Sequence, residues 1–311
     1  MKRLLITGAT GFIGTHCLPL LTTNGYEVHA VTKNSSVEDS DTNQVNWHRV
    51  DLLDQSQIQR LIAHVQPTHL LHFAWYATPR KYLTSPENVR WVQASLALLQ
   101  AFAENGGQRV VMAGTCAEYD WKYGYCSEEI TPLIPATLYG TCKHSVQMIM
   151  RTYAEQRGLS SAWGRIFFLY GPHEHRDRLI SYVIRSLLLG EIAHCSHGRQ
   201  LRDFLYVKDV ASAFVALLDS VVIGPVNIAS GQPTKLLDVI YAIADLLNRR
   251  ELIQLNSIST PPDEPPLIVA DIHKLSNEVR WLPEFDFKEG LTQTIEWWRH
   301  NLALNKSEPN Q

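Results

Sequence analysis

The sequence predicts an α/β protein built on a parallel sheet covered on both faces. Three observations carry that prediction. Short apolar runs alternate with amphipathic stretches through the first half of the chain. The runs are apolar almost throughout rather than at every second residue, the pattern of strands buried on both faces. A glycine-rich turn, Gly8 to Gly14, directly follows the first run.

Taken in order, Arg3–Thr7, rich in Leu and Ile, is the first strand, and Gly14–Thr23 is an amphipathic helix beyond the turn. Glu27–Thr32 is a second strand and Gln55–Val65 a polar-faced helix. Leu70–Ala74 and Arg109–Ala113 are further strands, separated by a long helical segment over Glu87–Glu104. A helix from Leu138 to Gln156 stops at Gly158, a residue type common just past a helix end, and Ser160–Phe168 closes the set. Past residue 170 the rhythm loosens. Gly171-Pro172 breaks it, and Pro261-Pro262-Asp263-Glu264-Pro265-Pro266 suits neither helix nor central strand. Helical stretches at Leu179–Leu189, Val207–Asp219, Leu236–Asn248 and Glu289–Asn301 surround these breaks, and the polar tail from Ala303 reads as frayed. The expected organisation is a sheet domain over residues 1–168 and a smaller α+β portion over residues 169–311. The second part lies over the carboxyl ends of the strands, and segments of the two interleave.

Composition bounds the class. The 311 residues carry 28 Lys plus Arg against 31 Asp plus Glu, a net charge of −3, and nothing favours nucleic acid or an acidic membrane as partner. No apolar run approaches the roughly eighteen residues of a membrane span. The apolar run after Met1-Lys2-Arg3 is too short for a secretory signal, so a soluble, cytoplasmic protein is expected. Cys17, Cys116, Cys126, Cys142 and Cys195 are odd in number without Cys-x-x-Cys spacing and read as reduced thiols. Among thirteen histidines, His173-Glu174-His175 and His194-x-x-His197 match no metal motif, and no metal is expected.

Gly8-Ala9-Thr10-Gly11-Phe12-Ile13-Gly14 follows a strand and opens a helix. Glycines there permit a tight turn and close backbone approach, delivering a pyrophosphate to a helix N-terminus. The spacing is Gly-x-x-Gly-x-x-Gly. A carboxylate for the adenosine ribose is expected at the end of the second strand, about 20 residues on. That strand ends Val31-Thr32-Lys33-Asn34, with none. Lys33 suits an anionic 2′-phosphate, so NADP is favoured over NAD, with NAD left open. Asp51, followed by Leu52, either hydrogen-bonds the adenine edge or caps the next helix.

Tyr139-Gly140-Thr141-Cys142-Lys143 lies on a helix, and its i, i+4 spacing puts Tyr139 and Lys143 on one face. Lowering a tyrosine from about 10 to about 7 for proton exchange takes roughly 4 kcal/mol of anion stabilisation. A neighbouring ammonium and an oxidised nicotinamide together can supply it.

With these residues the sequence resembles the extended short-chain dehydrogenases/reductases of the sugar-nucleotide epimerase/dehydratase type. The resemblance runs through Thr7 to Gly14, Asp51-Leu52, His72-Phe73-Ala74, and Tyr139 with Lys143. It continues through Arg165 to Tyr170-Gly171-Pro172, Arg202-Asp203-Phe204-Leu205-Tyr206-Val207-Lys208-Asp209-Val210, Asn227-Ile228-Ala229-Ser230-Gly231, and Gly290 with Trp297-Trp298. It implies a Rossmann-type, doubly wound sheet with a smaller C-terminal α+β substrate-binding domain. It implies that Gly8, Thr10, Gly11, Phe12, Ile13, Gly14, Lys33, Asp51, Leu52, Phe73 and Ala74 surround the dinucleotide. Tyr139 is then the acid/base, and Lys143 binds the nicotinamide ribose and depresses the Tyr139 pKa. Thr115 hydrogen-bonds the reacting oxygen, and Arg202 reaches a substrate diphosphate, its alternative being a salt bridge to a nearby carboxylate. The helices over Glu87–Glu104 and Leu138–Gln156 match the pair through which such proteins form a homodimer by a four-helix bundle.

Members resembling 4,6-dehydratases carry Asp-Glu directly after the catalytic Thr. Here Cys116-Ala117 follow Thr115, and Glu118, one position late, is expected to face elsewhere. Dehydration is therefore disfavoured. Phe168 stands where the family's diphosphate-binding Asn is usual, and the Arg usual near residue 261 is replaced by Pro261-Pro262-Asp263-Glu264. Trp75-Tyr76 with Trp121, Tyr123 and Tyr125 form either an aromatic wall for a sugar or base, with Trp75 on the substrate, or ordinary core. The expected activity is reduction of a 4-keto(-6-deoxy) sugar nucleotide, a step of deoxysugar biosynthesis. An NAD-dependent 4-epimerase is the alternative and a noncatalytic dinucleotide sensor a remote one.

Overall fold

The computed structural model describes residues 2–33 and 44–307. Met1 and Asn34, both named above, lie outside the described residues. The chain runs β1 (Arg3–Thr7), α1 (Gly14–Thr23), β2 (Glu27–Thr32), β3 (Val45–Arg49), α2 (Gln55–Val65), β4 (His69–His72), α3 (Glu87–Glu104) and β5 (Arg109–Thr115). After a short β6 (Tyr125–Cys126) come α4 (Leu138–Arg157), β7 (Ser160–Ile166), β8 (Phe168–Tyr170), α5 (Leu179–Leu189), β9 (Ala193–His194), β10 (Leu201–Tyr206) and α6 (Val207–Asp219). The last elements are β11 (Gly224–Ile228), β12 (Pro233–Lys235), α7 (Leu236–Leu247), β13 (Ile253–Gln254), β14 (Leu267–Ala270) and α8 (Phe287–Ser307).

Seven parallel strands form the main sheet in the order β11-β7-β5-β4-β1-β2-β3. Side chains alternate across a strand, and successive residues of β1 enter opposite cores. Leu4 and Ile6 pack with Leu21 of α1 and with Val210, Phe214 and Leu217 of α6. Leu5 packs with Ile58 of α2, Leu98 and Phe102 of α3, and Val146 and Met150 of α4. Both faces are covered, which is why the strands read as continuous apolar runs. Each such fully shielded side chain contributes roughly 1.5–3 kcal/mol.

The sheet is completed from the second half of the chain. β11 adds to the edge beside β7, pairing Asn227 with Arg165, and α6 covers the same face as α1. The apolar pattern predicts no strand at Gly224–Ile228. Pro225 within it is tolerated because the strand is an edge. A second sheet, β12-β10-β14-β6 with β8 on β10, lies beyond the carboxyl ends and takes β6 from the first half.

Several expected boundaries move. The strand expected to reach Ala74 ends at His72, because Phe73 N–H bonds to Thr7 O and Ala74 N–H to Thr7 Oγ1. The run Ser160–Phe168 divides. β7 stops at Ile166, Phe167 N–H bonds to Ile228 O, and Phe168 starts β8 in the other sheet. The expected fraying from Ala303 is corrected, since α8 runs to Ser307. Leu291, Ile295 and Trp298 extend as one apolar stripe to the partly buried Leu302, which carries the helix past Asn301. No helix among the described residues is long and apolar enough to cross a membrane.

Arg109 fastens the sheet to α6. Its guanidinium donates to Ser160 Oγ at 2.8 Å and to the carbonyls of Leu217 and Val222 at 2.7 and 2.8 Å. Arg109→Met leaves the Val222 carbonyl without its donor and the Leu217 carbonyl with Ser220 Oγ alone, and is expected to cost about 1–3 kcal/mol. A lower urea midpoint at unchanged m-value checks this.

Candidate active site

The glycine turn is built by close backbone approach. Gly8 sits at φ +67°, and a Cβ there would lie 2.8 Å from Ala74 N. A Cβ on Gly14 would lie 2.2 Å from Gly8 O, and Gly11 N–H closes the turn on Gly8 O at 3.0 Å. No side chain caps α1, and Thr10 and Gly11 are exposed. The result is an open helix N-terminus flanked by Phe12, Ile13, Phe73 and Ala74, which fits a dinucleotide pyrophosphate. At the end of β2, Lys33 meets Asp51 in a 2.9 Å ion pair. That pairing, with a hydrogen bond from Leu53 N–H, holds the Asp51 carboxyl below its usual range. Asp51 is not the cap of α2. Asp54 is, accepting from the backbone of Ser56 and Gln57. Leu52 between them is buried.

Thr115 ends β5, and Tyr139 and Lys143 occupy the first turns of α4. The two elements meet because Gly140 has no side chain: a Cβ there would lie 2.2 Å from Ala117 O. Thr137 caps α4 by accepting from Gly140 N–H at 3.1 Å. The three expected residues are thereby brought together. The Thr115 hydroxyl lies near enough to Tyr139 to lower its pKa. Lys143 Nζ donates to Ala113 O at 2.8 Å and sits 3.9 Å from the centre of the Trp75 ring. Trp75 Nε1–H is anchored to Asn88 Oδ1 at 2.8 Å.

Burial governs the protonation of this site. It pushes the Tyr139 hydroxyl well up, the neighbouring Tyr82 adds to the rise, and the Thr115 hydroxyl opposes it. Burial lowers Lys143 to about 7, with the charge of Glu118 pulling the other way. Without a dinucleotide, burial thus outweighs what lowers the tyrosine. His72, behind Lys143, bonds Thr7 Oγ1 at 2.6 Å and Ser95 Oγ at 2.9 Å, and burial followed by Lys143 lowers it to about 3. It is neutral.

Glu118 is fully buried. Its carboxylate accepts from Thr115 N–H at 2.9 Å, Trp163 Nε1–H at 2.8 Å and Arg165 Nε–H at 2.8 Å. On the second sheet, Arg202 is also buried but pairs with Glu264, donates to the carbonyls of Leu201 and Pro265, and lies 5.5 Å from the Phe168 ring. Trp121 is half-buried and bonds Cys116 O, while Tyr123 and Tyr125 are exposed. Sequence reasoning missed Tyr82, whose ring centre is 4.8 Å from that of Tyr139, and the partnership of Glu118 with Arg165. Tyr82 lies in a loop without periodicity. A lone Glu in an apolar setting near a lone Arg was the available signal for the second.

A family model described as the NAD dependent epimerase/dehydratase family matches residues 4–229. The chain belongs to this family. UDP-glucuronic acid decarboxylase 1 of Xenopus tropicalis is 28% identical over 313 residues, spanning 97% of this chain and 73% of that protein. dTDP-glucose 4,6-dehydratase of Salmonella typhimurium is 24% identical over 340 residues, spanning 96% and 93%. Among solved structures, UDP-glucose 4-epimerase of Thermus thermophilus in complex with NAD superposes with a TM-score of 0.83 at 26% identity, over 96% of this chain and 99% of that one. Epimerase/dehydratase relatives thus carry three reaction names on one frame, and side chains rather than fold separate them.

The buried Lys143 gives this family member a pH signature. An unfolded chain keeps the lysine proton to about pH 10.4, whereas the folded chain releases it above about 7. Between those values the unfolded state binds more protons, so stability of the dinucleotide-free protein rises with pH. Lys143→Met is expected to flatten that rise in thermal unfolding curves. An unchanged slope would mean that the folded chain keeps the amine protonated.

Proposed function

We propose that this chain reduces the keto group of a nucleotide-linked 4-keto(-6-deoxy) sugar, with Tyr139 as proton donor. The observation that carries the reading is the single proton-exchanging group. Cys116 and Ala117 follow Thr115, and the next carboxylate, Glu118, is fully enclosed by Thr115 N–H, Trp163 and Arg165. Elimination of water needs its own acid and base. Reduction of a ketone needs one hydride and one proton.

Bound nicotinamide dinucleotide supplies the hydride. Thr115 orients the carbonyl oxygen, and Tyr139, beside Thr115, delivers the proton to it. Lys143, held by Ala113 O and capped by the Trp75 ring, fixes the face of α4 on which Tyr139 stands. Trp75 and Tyr82 narrow the entrance around Tyr139 and exclude water from that proton.

For the dinucleotide, Lys33 supports NADP, while its ion pair with Asp51 makes a 2′-phosphate compete with a carboxylate. The reading is that both dinucleotides bind with similar affinity. Asp51→Asn is expected to shift preference toward NADPH, measured as the ratio of fluorescence-titrated affinities.

The epimerase reading draws support from the NAD-bound Thermus thermophilus relative. The two readings separate on turnover. A reductase consumes NADPH or NADH with a keto-sugar nucleotide, and Tyr139→Phe lowers kcat by about 10²–10⁴ with dinucleotide binding intact. Interconversion of sugar nucleotides without added cofactor, by protein that carries NAD through purification, would replace it with the epimerase. Homodimerisation through α3 and α4 is supported by Val89, Met148 and Ile149, apolar side chains exposed on those helices. Light scattering is expected to give twice the chain mass at micromolar concentration.

A further inference from the structure

Arg202 and Glu264 form an ion pair whose two members differ sharply in how they are held. Arg202 is fixed from several sides. Its Nη1 donates to Leu201 O and to Pro265 O, both at 2.9 Å, and its guanidinium lies 5.5 Å from the Phe168 ring centre. The Arg202 side chain is 4% exposed and that of Glu264 34%. Among the described residues the Glu264 carboxylate has one side-chain partner, Arg202 Nη2, and none of the contacts that fix the guanidinium passes through it. The backbone around it is stiff. Pro261, Pro262, Pro265 and Pro266 flank it, Glu264 N–H bonds to Pro261 O at 3.1 Å, and Leu201 N–H bonds to Pro266 O at 2.8 Å. Only the Glu264 side-chain torsions are free to change. Phe168, over which the guanidinium lies, packs in one apolar cluster with Cys116, next to Thr115, so the pair borders the end of β5.

We propose that Glu264 is a displaceable carboxylate latch on Arg202, a specificity residue that a substrate diphosphate must push aside. The inference rests on the reading of the substrate as a nucleotide-linked sugar. With the latch closed the site carries no net charge, and a neutral or singly charged ligand gains little by exchanging with a carboxylate already in place. A diphosphate offers two anionic phosphates and with them a bidentate edge to the planar guanidinium. Released Glu264 is already partly in water, so its departure exposes no buried charge. Arg202 stays where Leu201, Pro265 and Phe168 hold it. The latch therefore discriminates against free sugars, which bring no anion to exchange for the carboxylate, and against monophosphates, which lack the second phosphate that completes a bidentate edge.

The test uses the full chain saturated with NADH and calorimetric titration with UDP, UMP and, as alternatives in the base, dTDP, CDP and GDP. E264Q keeps a hydrogen bond to Arg202 but removes the charge, and is expected to bind the preferred nucleoside diphosphate about tenfold tighter. The gap between diphosphate and monophosphate narrows. E264A gives a gain of the same sign, which separates loss of a competitor from a rearranged loop. In the R202M background E264Q gives no gain. With a turned-over substrate, KM falls and kcat does not follow it. Wild type that binds a diphosphate, with E264Q equal or weaker, overturns the latch and leaves the sugar-nucleotide reading intact. No binding of any diphosphate by wild type and variants alike overturns both.

Discussion

A carboxylate with no water around it organises this protein. Glu118 is fully buried, and burying an unpaired charge costs several kcal/mol, so its partners must stay in place. It meets that demand with the Thr115 amide, the Trp163 indole and the Arg165 guanidinium. Arg165 passes the constraint on to the Tyr119 hydroxyl, which donates to Asn227 Oδ1, and the Asn227 amide donates to the carbonyls of Cys126 and Asp271. One polar chain thus joins the ends of β5 and β7, the edge strand β11 and the second sheet. Thr115 owes its position to this chain as much as to its strand. The strut is not fully satisfied: Arg165 Nη2 finds no partner among the described residues.

On the proposed reading, the same group also keeps dehydration chemistry out of the site. A glutamate three residues beyond Thr115 is sequestered by donors on β7, while the two intervening positions hold a thiol that burial pushes up and a methyl group. On that reading proton exchange is left to Tyr139. Its hydroxyl is raised by burial and by Tyr82, so the positive charge that would lower it has to arrive with the ligands. Lys143, depressed by the same burial, is a structural tether to Ala113 as much as a charge.

Much of the fold was legible, for reasons visible in particular residues. The limits of β1, β2, α1, α2 and α3 follow from apolar runs and glycines that report only local geometry. β11 was not legible, since Pro225 and Asn227 break its apolar pattern and its strand character comes from pairing with β7. Phe168 read as the end of one strand because nothing local marks the point where the chain changes sheets. In the site, the glycine turn and Thr115, Tyr139 and Lys143 were legible because their spacing is chemical. Tyr82 was not, and the salt bridge offered as the alternative for Arg202 was legible without its partner: loop and proline-rich segments place Tyr82 and Glu264, across long separations in sequence.

Completion of the main sheet by β11 and of its helical cover by α6 bears on how the chain acquires its structure during synthesis. The strand order and the buried guanidinium of Arg109, which waits for the carbonyls of Leu217 and Val222, stay open until the chain through Ile228 has left the ribosome. Until then β7 is an exposed parallel edge, the kind of surface that pairs with other chains. The half of the chain that carries β1 to β7 is therefore present in sequence before its sheet is finished in structure.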